Sequence, residues 1–249
     1  GMNFTATQGE SCGSNSRLLV HRSIIDEVVN GVVDLVEKIR LGVPIKEDTQ
    51  MGALVSAAHL DRVSGYVETG VGGGAELVTG GARPDHLPVG YFLQPTVFTG
   101  VTSEMRIAQE EIFGPVLSVM EFESDAEALR LANDVRYGLT ASVWTNQLMK
   151  AKEFIDGFAA GYVWVNDSSN HFAGMPFGGV GASGVGRGIG WIRDLIVHHS
   201  VQRPRRCHRS SSVVFGTLPC YPPHPRALTY SHFRQAVRVF TEQRSQRSG

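Results

Sequence analysis

Cysteine is scarce in this chain. Cys12, Cys207 and Cys220 are the only three, and none forms a CxxC pair. That excludes a paired-cysteine zinc site and a disulfide framework, and no metal site is expected. It points to a reducing, cytoplasmic setting. Long apolar runs are also missing: no stretch approaches the ~18 uninterrupted residues of a membrane span. The first residues lack the charged-then-apolar order of a signal peptide, so no membrane partner is expected. Lysine is absent from residues 203–249, where nine Arg and the single acid Glu242 leave a charge of +8. Residues 1–202 hold the other 14 basic and 23 acidic side chains and carry −9, so the net charge of −1 conceals two unlike parts. The basic tail lacks any recognition module, and no nucleic-acid partner is expected.

With 42% hydrophobic and 19% charged residues, the chain has the composition of a globular protein that buries a sizeable core. "RLLVH" (17–21) reads as a short strand. Ser23 is placed to cap a helix whose apolar positions run from Ile24 to Ile39 at helical spacing. A second helix is expected near 56–67, ended by the Gly-rich "TGVGGG", and "AELVTGG" follows as strand and turn. "YFLQPTVFTGV" and "FGPVLSVMEF" have the content of strands, with Ser124 capping "DAEALRLAND". "LTASVWT" (strand), 146–158 (helix) and "GYVWVN" (strand) continue the alternation. Such an order implies an α/β fold, three layers αβα, with a mainly parallel sheet covered on both faces. From Arg203 onward the order fails in favour of Arg, Pro and Ser, and only 231–243 hints at a helix. The expected division is a domain over 1–202 and a poorly ordered tail over 203–249.

"TQGESCGSNSR" (7–17) places Cys12 among small polar residues flanked by Gly9 and Gly13. Lone cysteines are mostly small buried hydrophobes, yet these neighbours do not line cores. A helix beginning just after Cys12 would favour the thiolate and offer amides to an oxyanion. A Cys–His hydrolase would draw its base from His21, His59, His86, His171, His198 or His199, none in a distinctive motif. "GGVGASGVGRG" (178–188) contains GxGxxG. It is not preceded by a buried strand or followed by an acid at the end of a next strand, so it reads as a close-packed glycine turn rather than a dinucleotide loop.

Several stretches together resemble the aldehyde dehydrogenase superfamily over roughly residues 1–200. They are "QGESC", with Glu10 where the family commonly has Gln, then "QEEIFGPVL" (109–117), "ANDVRYGLTASVWT" (132–145), "GYVWVN" (161–166) and "PFGGVGASGVGR" (176–187), in the family's order. The resemblance implies oxidation of an aldehyde to an acid with NAD or NADP, through a cysteine hemithioacetal and thioester. By resemblance Cys12 is the nucleophile, with its own backbone N–H as half of the oxyanion hole. Glu111 corresponds to the glutamate on the nicotinamide ribose, and Phe113 to the ring beside the nicotinamide. Asn166 and the segment 167–175, with His171 and Phe172, would line the aldehyde tunnel.

The resemblance also implies a small aldehyde substrate, of the betaine aldehyde kind, and a homo-oligomer in complete members. The family's glutamate base and dinucleotide-binding domain precede its cysteine, whereas eleven residues precede Cys12. The 249-residue chain alone is therefore expected to be inactive as a dehydrogenase. The alternatives are a residual thiol esterase and a non-catalytic remnant that partners complete subunits. Gly181 and Gly188 stand where the family commonly has Lys and an acid. The family's terminal strand should begin near His198 and pass into the Arg-rich tail, content that a shifted reading frame would produce.

Overall fold

The computed structural model describes residues 3–172 and 174–188, and the backbone pairing of 199–201. The tail, the helix hinted at over 231–243 and the candidate bases His198 and His199 lie outside the residues whose side chains are described.

A four-stranded sheet forms the first half. Its strands are β1 (Arg17–His21), β2 (Glu76–Thr79), β3 (Thr96–Thr99) and β4 (Val116–Phe122), in the order β1-β4-β3-β2. β4 runs parallel to both neighbours, and β2 closes the edge antiparallel to β3. Between them come α1 (Ile25–Val36), α2 (Ala57–Gly72) and the single turn α3 (Arg106–Gln109). The alternation along β4 sends Val116 and Met120 to one face and Leu117 and Val119 to the other. On the first face they meet Val63 and Val67 of α2 and Ile107 of α3; on the second, Val28, Val29 and Val36 of α1. A strand buried on both sides must be apolar throughout. The one polar residue in its buried run, Ser118, donates its hydroxyl to Ile107 O at 3.0 Å.

The second half holds α4 (Asp125–Asn133), β5 (Tyr137–Gly138), β6 (Thr140–Val143), α5 (Leu148–Gly157), β7 (Tyr162–Val165), β8 (Val180–Gly181) and β9 (His199–Val201). β6, β7 and β9 make a parallel sheet, and β5 pairs antiparallel with β8. Val163 and Val165 of β7 pack with Phe154 and Ile155 of α5 and Ala128 of α4. Tyr162 and Trp164 fill the opposite face. The architecture is α/β with a mostly parallel sheet, as the sequence implied.

Ser124 and Ser56 do cap their helices, accepting from Glu127 N and His59 N, each at 3.2 Å. Ser23 does not. The His21 ring accepts from Ser23 N at 3.2 Å and caps a 3-10 turn over Arg22–Ile24, so α1 starts only at Ile25, without a side-chain cap. α2 also outruns its expected end through Gly70 and Gly72, because Gly70 lets the helix lie directly on Phe98 and Ile107.

Candidate active site

The chain reaches Cys12 through an unusual backbone. Thr7, Gln8 and Gly9 are consecutively left-handed, with φ of 49°, 59° and 72°. For the two non-glycine residues this conformation costs roughly 1–2 kcal/mol each, so other contacts must hold it. The Asn3 amide donates to Gly13 O at 2.8 Å, Glu10 N to Thr7 O at 2.9 Å, and Phe4 is buried among the α1 and β4 side chains. The Gln8 amide bridges Thr7 O (2.8 Å) and Gly52 N (3.0 Å). Gly9 lies so close to Gly114 that a Cβ would stand 2.2 Å from the Gly114 oxygen. Two sequence motifs, "QGESC" and "EEIFGPV", are thereby pressed backbone to backbone.

Cys12 is exposed at the tip of a turn closed by Ser14 N on Ser11 O at 3.0 Å. No helix begins just after it, so the helical amides that would favour a thiolate are not supplied there. Residues 14–16 lead straight into β1, whose first residue is paired with Ser118 of β4. Ser118 N is already committed to Ser16 O at 2.9 Å, and that ladder draws the chain into the sheet. The backbone N–H of Cys12 itself takes no acceptor among the described residues.

The segment 110–114 is held by one stripe of α2. The His59 ring meets Phe113 O at 2.7 Å, and Arg62 donates to Ile112 O at 2.5 Å and to Glu111 O at 2.6 Å. Tyr66 donates to the Glu110 carboxylate at 2.7 Å, and Val63 packs on Gly114. These positions, 59, 62, 63 and 66, share a helix face by spacing. The carbonyls of Glu111, Ile112 and Phe113 are thus all taken up, and Phe113 sits at φ 61°. The Glu111 side chain is exposed and takes no partner among the described residues. A free carboxylate on a strap pinned through its carbonyls suits the two hydroxyls of a ribose, so the residues present fit a nucleotide cofactor there.

Arg62, Tyr66 and the tie made by His59 were missed in the sequence. Their signal was a polar stripe beside the apolar one at 60, 63 and 67, which ordinary amphipathic reading assigns to solvent.

On its other side the cysteine loop touches β6. Asn15 Nδ2 donates to Ser142 Oγ at 2.8 Å, and Gly13 lies against Thr140. β6 pairs with β7, which ends at Val165, one residue before Asn166. Asn166 is left-handed (φ 54°), and both ends of its amide are engaged by the Thr145 backbone at 2.9 Å. His171 packs edge-on to Phe177 (4.7 Å between centroids) and reaches the Tyr162 and Trp164 rings. Phe172 is half-buried, its carbonyl accepting from Met175 N at 3.1 Å. The structure therefore presses the segment leading to Cys12 against the strap that carries Glu111 and Phe113 through Gly9 and Gly114, while Asn166 and His171 follow β7 with mainly structural contacts. Among the described residues no cluster of His, Cys, Asp or Glu is grouped to hold a metal ion, and no helix is long and apolar enough to cross a membrane.

The profile of the Aldehyde dehydrogenase family matches residues 2–197. The chain belongs to the aldehyde dehydrogenase family. Aldehyde dehydrogenase tropH of Talaromyces stipitatus is 48% identical over 75% of this chain and 37% of its own length. Betaine aldehyde dehydrogenase of Bacillus subtilis is 43% identical over 74% of this chain and 38% of its own. Among solved structures, betaine aldehyde dehydrogenase from Staphylococcus aureus in complex with NAD+ superposes with a TM-score of 0.72 at 41% identity, over 74% of this chain and 37% of that one. The chain thus spans little more than a third of the length of these aldehyde dehydrogenases.

The glycine-rich segment 178–188 is a close-packing device, as the sequence suggested. A Cβ on Gly161 would lie 1.8 Å from Gly178 O, and β8 within this segment pairs with β5. Gly181, where the family commonly has Lys, has a φ of 58° and presses on Arg136 O. Gly188 exchanges hydrogen bonds with Phe177 at 2.9 and 2.7 Å.

Beside the strap, hydrogen bonds from Arg106 and then Tyr66 pull the Glu110 carboxyl down to about 2. A carboxyl depressed on folding stabilises the native state above its unfolded value, near 4.3, and that contribution fades as pH falls toward 2. The group is largely exposed, so screening keeps the effect small. Glu110→Gln is expected to flatten acid unfolding between about pH 4.3 and 2. Urea midpoints measured across that range check it, and an unchanged slope would refute it.

Proposed function

We propose that this chain supplies the cysteine-bearing part of an NAD(P)+-dependent aldehyde dehydrogenase. Residues 1–202 act as the catalytic unit and 203–249 as an appended tail. One observation carries the reading: an exposed cysteine with a free backbone N–H, three residues after a left-handed run whose Gly9 is locked against the strap that carries Glu111 and Phe113. The Cys12 thiolate attacks the carbonyl carbon of a small aldehyde. The C–S bond forms, and the carbonyl oxygen becomes an alkoxide facing the Cys12 N–H. As the C=O bond re-forms, the C–H bond of the former aldehyde breaks and its hydride leaves, giving a thioester; NAD(P)+, when bound, would be the hydride acceptor. Water then releases the acid from the thioester and returns the thiol.

Glu111 holds the nicotinamide ribose, and Phe113 backs the nicotinamide side. Asn166 braces the mouth of the aldehyde site through Thr145, and His171 and Phe172 shape its wall. The name of the Bacillus subtilis relative supports betaine aldehyde as the substrate type, and the family supports a homo-oligomer. The scarcity of cysteine supports a cytoplasmic setting.

Reaction of the purified 249-residue chain with an activated ester such as p-nitrophenyl acetate tests the nucleophile. A stoichiometric burst lost in Cys12→Ala is expected; an equal burst in that variant would overturn the assignment. Aldehyde-dependent NADH production by the same chain is expected to be undetectable. The resemblance places the general base, whose loss alone costs roughly 10²–10⁴-fold, in sequence ahead of Gly1. Sustained NADH production would refute that.

A further inference from the structure

We propose that His59 is the positioning residue that ties the cysteine loop to the cofactor strap. The inference rests on the reading of Cys12 as nucleophile and of Phe113 as the nicotinamide's neighbour. His59 Nε2 lies 2.7 Å from Phe113 O and 3.4 Å from Glu10 Oε1. A carbonyl only accepts, so Nε2 bears the proton. The hydrogen bond goes to the strap, and the Glu10 carboxylate two residues before Cys12 stands in contact with the same nitrogen at 3.4 Å. Glu10 Oε1 also accepts from Val55 N at 3.0 Å, at the entry to α2. Both side chains are largely withdrawn from water, 15% and 16% exposed, and the His59 and Phe113 rings meet edge to face at 6.4 Å.

Arg62 and Tyr66 hold the strap alone. His59 is the member of that stripe that also reaches the cysteine loop, so helix α2 sets the separation of thiol and strap. Glu10 stands where the family commonly has Gln, and a carboxylate there can only accept. The histidine nitrogen, bonded to the strap and in contact with this carboxylate, is the point where the two segments meet α2.

Hydrogen exchange by mass spectrometry on the 249-residue chain tests this, read on peptides spanning 8–14 and 110–116, with 162–165 as a distant reference. His59→Leu is expected to speed exchange in both segments, about two- to tenfold for the loss of one hydrogen bond. His59→Gln, whose amide nitrogen can donate to Phe113 O, should restore most of the protection. Arg62→Met should affect 110–116 only. Should His59→Leu unfold the chain, seen as faster exchange in 162–165 as well, Glu10→Ala decides: faster exchange in 8–14 supports the tie, and none overturns it. A response confined to 110–116 in His59→Leu, or equal loss in the Leu and Gln variants, would also overturn it. The ester burst is measured in parallel. Its absence from the wild-type chain would sink the nucleophile assignment while leaving the exchange pattern to judge the tie by itself.

Discussion

Replacing Gly9 by Ala is expected to destabilise the fold by roughly 2–5 kcal/mol, combining overpacking of ~1–3 with a left-handed backbone penalty of ~1–2. The added Cβ would fall 2.2 Å from the Gly114 oxygen, 2.4 Å from its carbonyl carbon and 2.7 Å from Phe4 O. Those are backbone atoms, so no rotamer change relieves the contact. Gly114 in turn leans on Val63 of α2, and Phe4 is anchored between β1, β4 and α1. The cheapest escape is outward movement of the cysteine loop, so the ester burst should fall along with stability. Gly65 provides the control. It sits within α2 with nothing within 4 Å of its would-be Cβ. Gly65→Ala should therefore stabilise the chain by about 0.5–1 kcal/mol. Urea unfolding of both variants measures the contrast. A Gly9→Ala midpoint equal to wild type would show that the two motifs are not pressed together.

Trp164→Ala should cost roughly 3–5 kcal/mol, a fall in Tm of about 6–20 °C for a chain of this size. Trp164 is fully buried in β7, and its indole N–H donates to Asn170 O at 2.7 Å. It borders Tyr162 at 5.0 Å and His171 at 5.7 Å between ring centroids. Truncation therefore empties the face of the sheet opposite α5 and frees the loop that carries His171 and Phe172. Trp164→Phe keeps much of the ring volume and loses only the donor, so a smaller loss of about 1–3 kcal/mol is expected for the orphaned carbonyl and reduced contact. Calorimetry of the two variants separates packing from hydrogen bonding. Near-equal losses would assign nearly the whole effect to the Asn170 bond.

The sequence by itself determined the α/β class and most of the elements, because strands buried on both faces, such as Val116–Phe122, must be nearly continuous apolar runs, and Ser56 and Ser124 mark helix starts by their chemistry. It also singled out Cys12, Glu111 and Phe113 as one set through the family's motifs. Local pattern misled where tertiary contacts outbid it. Ser23 yields its cap to the His21 ring, and α2 runs on through the glycines read as its end because Gly70 lets it lie on Phe98 and Ile107. Only the tertiary structure decided what holds the site together. His59, Arg62 and Tyr66 have the spacing of any solvated helix face, and they become a clamp because the 110–114 carbonyls arrive from about fifty residues away. A sequence states which groups can donate and accept, but which distant backbone meets them is set by the packing of the sheet and helices between.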